Sequence, residues 1–381
     1  MEKVKVFIKR IFDSEAIKKI IATIIAILLG LLAGLIVMLI VDPSQAFGGL
    51  TAILFDGISR GGEGFGEVLF KAAPLILTGL AVAFAFKTGL FNIGVSGQLM
   101  MGAFVAVYIG VKWTWLPGIL HFIVAAIGGI LTGALWALIP AILKAYRNVH
   151  EVVATIMMNY IAMFSSNMLV QALIYDQANT SSMAIDKNAR VPNLLLDKIF
   201  PYPSINGGII FAIIVGIIIY VILKKTTFGY ELKAVGLNRN AARYAGINDK
   251  QKIMFSLLIS GAIAGLAGAI IYLVPGSGQR IQLTLVISPY GFQGIAVALL
   301  GMSNPIGTVF AGLYLGYIEA SNQTLQSWGF KREIIDIISA SIIYFSAFAL
   351  YFQRHSERII NKIKELIRRR SEKHEKVSQD N

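Results

Sequence analysis

Residues 20–41 contain no charged side chain, and a run of that length leaves few environments in which to put it. About 20 apolar residues are what a helix needs to cross ~30 Å of hydrocarbon. The run is too long for the apolar part of a removable signal peptide, and no small-residue cleavage site follows it. It reads as a retained membrane span. Similar runs recur along the chain, and only 14% of its residues are charged, against about a quarter in soluble domains. The runs are continuously apolar rather than alternating every second residue, which excludes a membrane barrel. In a bilayer the helix is then the remaining way to pair every backbone N–H and C=O. The expected fold class is all-α, a polytopic membrane protein with about ten transmembrane helices.

The charges set the direction of threading. Lys and Arg fall in blocks at 3–19, 144–147, 224–252 and 354–376, and they produce a net charge of +13. No basic stripe is interleaved with aromatic residues, so nucleic acid is not implied as a partner. Basic blocks beside apolar runs are what short inside loops carry. Spans are expected at 20–41, 72–90, 99–111, 118–143, 152–174, 207–223, 253–274, 290–300, 306–325 and 334–352. Ten crossings place all four basic blocks and both termini inside, and leave 175–206 outside. The chain then divides into a cytoplasmic basic N-terminus (1–19), a membrane domain (20–352) with an inside loop at 224–252, and a cytoplasmic basic tail (353–381). Gly30 and Gly34, Gly129 and Gly133, Gly261 and Gly265, and Gly312 and Gly316 have the small-xxx-small spacing that lets helices approach in lipid. Packing within the chain is the expected use of these pairs.

Two stretches break this pattern. Residues 91–98 are polar and glycine-broken between two apolar runs, and Ser288-Pro-Tyr-Gly-Phe-Gln-Gly leads into a short apolar stretch. Interrupted segments at corresponding places in two halves point to a substrate route in transporters, because irregular backbone at membrane depth must be buried in protein or line a wet cavity. Asn92, Ser96, Gln98 and Gln293 offer uncharged donors and acceptors, and Phe91, Tyr290 and Phe292 offer rings on which a planar solute can stack. The chain has no Walker A phosphate loop, no Cys and four scattered His, so nucleotide binding by that loop, thiol chemistry and a metal site are not expected. An ion-coupled secondary transporter would need buried acids in mid-span. Glu319 and Asp336 are the candidates, both expected at the outer side near Lys331 and Arg332.

The inside loop contains FGYELKAVGLNRNAARYAGINDK, longer than a connector needs. Asn238 is suited to cap a short helix at 240–245, and Gly246 to close it in the left-handed conformation. Ala241, Ala242 and Ala245 would give that helix a smooth face for a groove in a separate cytoplasmic motor.

GLNRNAARYAGI resembles the cytoplasmic coupling segment of ABC importer permeases of the branched-chain amino acid and simple-sugar group. FNIGVSGQLMMGAF, EVVATIMMNYIA and GFQGIAVALLGMSNPIG are similar to motifs of its nucleoside branch, which is served by basic-membrane-lipoprotein-type binding proteins. Ser96 stands where an acidic or small residue is often seen, and Lys233 where Arg is usual; Lys keeps the charge without the forked geometry. The resemblance implies a type II importer fold in which two ten-helix permeases form one pathway, the second related but distinct. It also implies a cytoplasmic ATP-binding subunit with two nucleotide-binding domains, an extracellular substrate-binding lipoprotein and a bacterial plasma-membrane location. ATP and Mg would be bound by that partner and no cofactor by this chain, which would not be an enzyme. The implied substrate is a nucleoside, purine nucleosides favoured, with simple sugars or an autoinducer as same-fold alternatives. The expected pathway residues are Asn92, Ser96, Gln98, Asn159, Tyr290, Phe292 and Gln293. Those expected for ATPase coupling are Gly236, Asn238, Asn240, Ala241, Ala242, Tyr244 and Gly246.

Overall fold

The computed structural model describes residues 15–274 and 280–348. Residues 1–14, the tail 353–381 and the end of the last expected span, 349–352, lie outside the described residues.

Helices dominate, as the continuous apolar runs require. Among the described residues, seven are long and apolar enough to cross a membrane. They are α1 (Glu15–Val41), α3 (Gly61–Lys87), α4 (Val95–Lys112), α5 (Gly118–Arg147), α6 (Glu151–Leu173), α8 (Gly208–Lys225) and α11 (Asp249–Tyr272). The last three expected spans are shorter: α12 (Tyr290–Leu300), α13 (Pro305–Ala320) and, among the described residues, α15 (Glu333–Ala347). The expected run 306–325 is interrupted at Ser321, beyond which α14 (Asn322–Ser327) begins.

Two departures have a common cause. The helix α2 (Ala46–Ser59) is apolar but short, and the first eleven residues of α3, 61–71, are polar; neither stretch was among the expected spans, yet both are helical. Arg60, between them, bonds Asp56 at 2.6 Å and Glu67 at 2.8 Å, and both carboxylates are buried. The stretch expected outside covers the start of α3: a Cβ on Gly66 would lie 2.7 Å from Tyr202 Cβ. Ion pairs and a covering loop thus support helix that hydropathy alone does not.

All four glycine pairs serve packing within the chain. Gly30 and Gly34 of α1 face Ile342 and Ile338 of α15, and Gly312 and Gly316 of α13 face Ile76 and Ala72 of α3. Gly129 and Gly133 of α5 meet Gly261 and Gly265 of α11 main chain to main chain. The external stretch carries α7 (Leu196–Ile199) and one element the fold class did not include, an antiparallel ribbon pairing Tyr175–Asp176 (β1) with Ser181–Ser182 (β2).

Candidate functional site

The first broken segment begins where α3 ends. Gly89 (φ 70°) turns the chain, and the Thr88 hydroxyl meets that of Ser256 on α11 at 2.6 Å. The chain then runs back alongside the helices it has left. Asn92 Nδ2 donates to Ser260 Oγ at 2.9 Å, and that hydroxyl donates to the Ala81 carbonyl at 2.7 Å. Ala81 precedes the end of α3 by about 9 Å of helix rise, so the loop folds back along α3 rather than beyond its end.

Three amides hold the loop in shape. Asn92 Nδ2 also donates to Gln98 Oε1 at 3.0 Å, while Asn92 Oδ1 accepts from the Gly94 amide at 3.0 Å. Asn159, from α6, accepts from the Gly97 amide at 2.8 Å and donates to the Ile93 carbonyl at 3.0 Å. Asn92, Gln98 and Asn159 are all buried. Their polar atoms satisfy backbone that left the helical pattern, as buried amides in an apolar setting must be satisfied.

The second broken segment comes to the same place. At Arg280 and Ile281, beyond the C-terminal end of α11, the Ser182 amide donates to the Ile281 carbonyl at 2.8 Å. Arg280 bonds Asp176 at 2.7 Å; the Asn179 amide and then Arg280 hold the Asp176 carboxyl below its usual range. Residues 281–290 then descend to α12. At the bottom, Ser96 Oγ donates to the Ser288 carbonyl at 2.9 Å, and Gly291 packs against the Ser96 backbone with no room for a side chain.

Above this junction is a cavity of about 170 Å³, lined by Met100 and Ala103 of α4, Ser166 and Asn167 of α6, Tyr272 of α11 and the descending segment to Tyr290. Its lining mixes uncharged polar groups with aromatic and aliphatic surface. Asn167 Nδ2 donates to the Thr284 carbonyl at 2.8 Å and ties α6 to the descending segment.

Of the expected pathway residues, Tyr290 lines the cavity, and Ser96, itself buried, holds Ser288 of the lining from beneath. Asn92, Gln98 and Asn159 stand behind that floor. Phe91 stacks on Phe86, ring centres 5.0 Å apart. Phe292 is exposed on α12, and Gln293 donates to Glu319 at 2.9 Å. Glu319 lies near Arg332 as expected, but as a partly buried acceptor rather than a surface charge, because the reversal between α12 and α13 brings Gln293 to it. Ser166, Asn167 and Thr284 were not singled out in the sequence. The polar triplet Ser165-Ser166-Asn167 inside an apolar span was the available signal.

In the loop expected inside, α9 (Thr227–Leu237) leads into α10 (Arg239–Tyr244). Asn238 caps α10 by accepting from the Ala241 amide at 3.0 Å, and Gly246 (φ 81°) closes it. Arg239 and Arg243 both bond Asp249, the latter at 2.9 Å, and pin α10 to α11. Ala242 does not face outward with Ala241 and Ala245. It is buried with Ala85, Leu90, Ala145 and Leu257, because one side of so short a helix must anchor it. The outward surface carries Asn240, Ala241 and two large residues, Leu237 (89% exposed) and Tyr244 (95% exposed). Gly236 lies within α9 rather than at a turn.

Comparison with known proteins places this geometry in context. Residues 64–347 match the family described as the permease component of branched-chain amino acid transport systems. The chain is 43% identical over 291 residues to the guanosine ABC transporter permease protein NupP of Bacillus subtilis, covering 75% of this chain and 82% of that protein. It is 35% identical to the nucleoside ABC transporter permease protein NupB of Lactococcus lactis, covering 77% and 82%. A glucose ABC transporter permease of Haloferax volcanii is 30% identical, with 83% of each chain covered. No solved structure matches.

Proposed function

Because this chain belongs to the permease-component family of branched-chain amino acid transport systems, we propose that it carries nucleosides, purine nucleosides foremost, into the cell. As a permease it is a membrane-spanning transport subunit rather than an enzyme. The observation that carries the substrate route is the meeting of the two broken segments at Ser96 and Ser288 beneath a cavity of uncharged polar and aromatic groups. Such a lining suits a neutral solute with a stacking face and several hydroxyls. Tyr290 faces that solute, with Phe292 and Gln293 on the same short helix, and the buried Ser96 fixes the Ser288 wall from behind. Asn92, Gln98 and Asn159 keep the loop in the conformation that shapes the floor. Guanosine and nucleosides in the names of two relatives support this substrate class.

The partners follow from the same reading. A cytoplasmic ATP-binding subunit with two nucleotide-binding domains binds ATP and Mg and docks on Asn240, Ala241, Tyr244 and the neighbouring Leu237, which Gly236, Asn238, Ala242 and Gly246 hold in place. A substrate-binding lipoprotein delivers nucleoside from outside, and a second, related permease completes the pathway. In support of the last, α6 leaves most of its surface open, as α5 and α8 do, yet is less apolar than either. A helix face bearing Tyr160 and Gln171 is better covered by protein than by lipid tails. The layout proposed is a cytoplasmic N-terminus (1–19), a membrane domain (20–352) with its coupling loop inside and 175–206 outside, and a cytoplasmic tail (353–381).

The test is uptake of labelled guanosine by proteoliposomes holding the whole complex. ATP-dependent uptake, competed by purine nucleosides and not by glucose, is the expected result. Competition by glucose instead would replace the substrate class, and uptake driven by an ion gradient without ATP would overturn the mechanism.

A further inference from the structure

The cavity floor and the inside loop are distant in sequence, yet one main-chain contact joins them. The end of α9 rests on the turn after α3. A Cβ built on Gly236 would lie 2.6 Å from the Lys87 carbonyl oxygen and 2.9 Å from the Gly89 nitrogen. In the opposite direction, a Cβ on Gly89 would lie 3.1 Å from the Gly236 carbonyl oxygen. Neither glycine therefore has space for a side chain. At Gly89 the left-handed backbone also favours glycine, whereas at Gly236, inside a helix, close approach is the reason.

The segment beyond Gly89 is short and tightly held. Leu90 is buried in one cluster with Val235 and Ala242 of the inside loop. Asn92 opens the amide frame, and Ser96 ends it on the Ser288 carbonyl. The route from the inside loop to the cavity floor thus runs through one turn and one hydrogen-bonded loop. A displaced flexible side chain is absorbed by rotation about its own bonds. Backbone packed on backbone has no such freedom, and close-packed interiors transmit displacement.

We propose that Gly236 and Gly89 form the pivot through which the inside loop drives the re-entrant segment, making both positioning residues for transport. This rests on the reading of 224–252 as the segment that engages the ATPase. Movement of α9 on ATP binding displaces residues 88–90, and the amide frame carries that displacement to the Ser96–Ser288 junction.

The experiment uses the complete reconstituted importer with a cysteine at Ile93 (Ile93→Cys), a partly buried loop position in a chain that has no native Cys. Its labelling rate by a maleimide is measured without nucleotide and with ATP trapped by vanadate. The rate is expected to differ between the two states, and the difference is expected to vanish in Gly236→Ala. Alanine favours helix over glycine, so α9 itself is not weakened by that change and the added methyl acts on the turn. Leu90→Ala is the second variant, because it loosens the route without a clash. It is expected to keep the ATPase bound and hydrolysing while uptake falls about 5- to 150-fold, the range of ordinary coupling energies. Unchanged uptake in Leu90→Ala, or labelling that still follows nucleotide in Gly236→Ala, would overturn the pivot. So would labelling of Ile93→Cys that ignores nucleotide in the otherwise unaltered complex. Failure of the ATPase to co-purify with the unaltered chain would instead remove the underlying reading of the loop.

Discussion

The Ser96 hydroxyl donates to the Ser288 carbonyl at 2.9 Å across 192 residues of sequence, closing one interrupted membrane segment on another. The bond lets two breaks in helical order share one dry junction, and it sets the floor of the cavity above. Ser96→Ala removes a single bond worth about 1 kcal/mol net. A small stability loss with a measurable change in substrate affinity is expected. Gly291→Val, by contrast, drives a side chain into the Ser96 backbone. It is expected to abolish uptake, and thermal unfolding of the purified complex will separate the two variants. Equal behaviour of Ser96→Ala and Gly291→Val would deny the junction its role.

The amide frame behind the floor makes a stronger demand. Asn92→Ala leaves Gln98, Ser260 and the Gly94 amide without their shared partner, all in buried surroundings. An orphaned buried polar group costs about 1–3 kcal/mol. Asn92→Ala and Asn159→Ala are each expected to lower the unfolding temperature and to impair uptake together. Gln98→Ala, which removes one partner of Asn92 and keeps the others, is expected to lie between these and the unaltered chain. Unchanged transport kinetics in all three would show that the frame does not shape the route.

How much of this was legible in the sequence depended on the range of the interaction. Asn238 as a cap and Gly246 as a left-handed terminator are local features, and both occur as expected. The two broken segments were visible for the same reason, since Gly, Pro and polar residues interrupt apolar runs. Their meeting was not visible, because no local pattern encodes a bond between Ser96 and Ser288. The inward turn of Ala242 was equally hidden. A six-residue helix shows too little periodicity to reveal its buried side, and three alanines nearby look alike. The reason for Gly236 was hidden as well, since it is the main chain of Lys87–Gly89 packed beside it. The polar start of α3 escaped because its support comes from Arg60 and from an external loop more than a hundred residues later.

Threading of the chain is open to a direct chemical test. Asn188 and Asn238 are both exposed, one on the stretch proposed as external and one on the loop proposed as cytoplasmic. Asn188→Cys is expected to label with a membrane-impermeant maleimide in intact spheroplasts, and Asn238→Cys only after permeabilisation. Labelling of both from the same side would overturn the proposed direction of the spans between them.

The sharpest contrast lies in the inside loop, where neighbouring residues face opposite ways. Ala242 is buried among Ala85, Leu90 and Leu257, so Ala242→Trp strains the chain's own packing before any partner is met. Overpacking of this kind costs about 1–3 kcal/mol, and the variant is expected to unfold at lower temperature. Gly246→Val forces a β-branched residue to φ 81°, a strain of about 1–3 kcal/mol that misplaces α10 without touching the spans. Tyr244 is different: at 95% exposure it supports nothing within the chain. Tyr244→Ala is expected to leave stability within about 0.5 kcal/mol, as surface changes do. An exposed tyrosine at the centre of a docking surface can contribute about 2 kcal/mol or more to binding, a change of about 30-fold in affinity. Co-purification of the ATPase should therefore fall sharply in Tyr244→Ala while the unfolding temperature holds. In Ala242→Trp both should fall together. Arg239→Lys and Arg243→Lys keep a positive charge near Asp249 and are expected to retain most of the uptake. Full ATPase association in Tyr244→Ala would mean that this face of α10 is a connector and that the motor docks elsewhere.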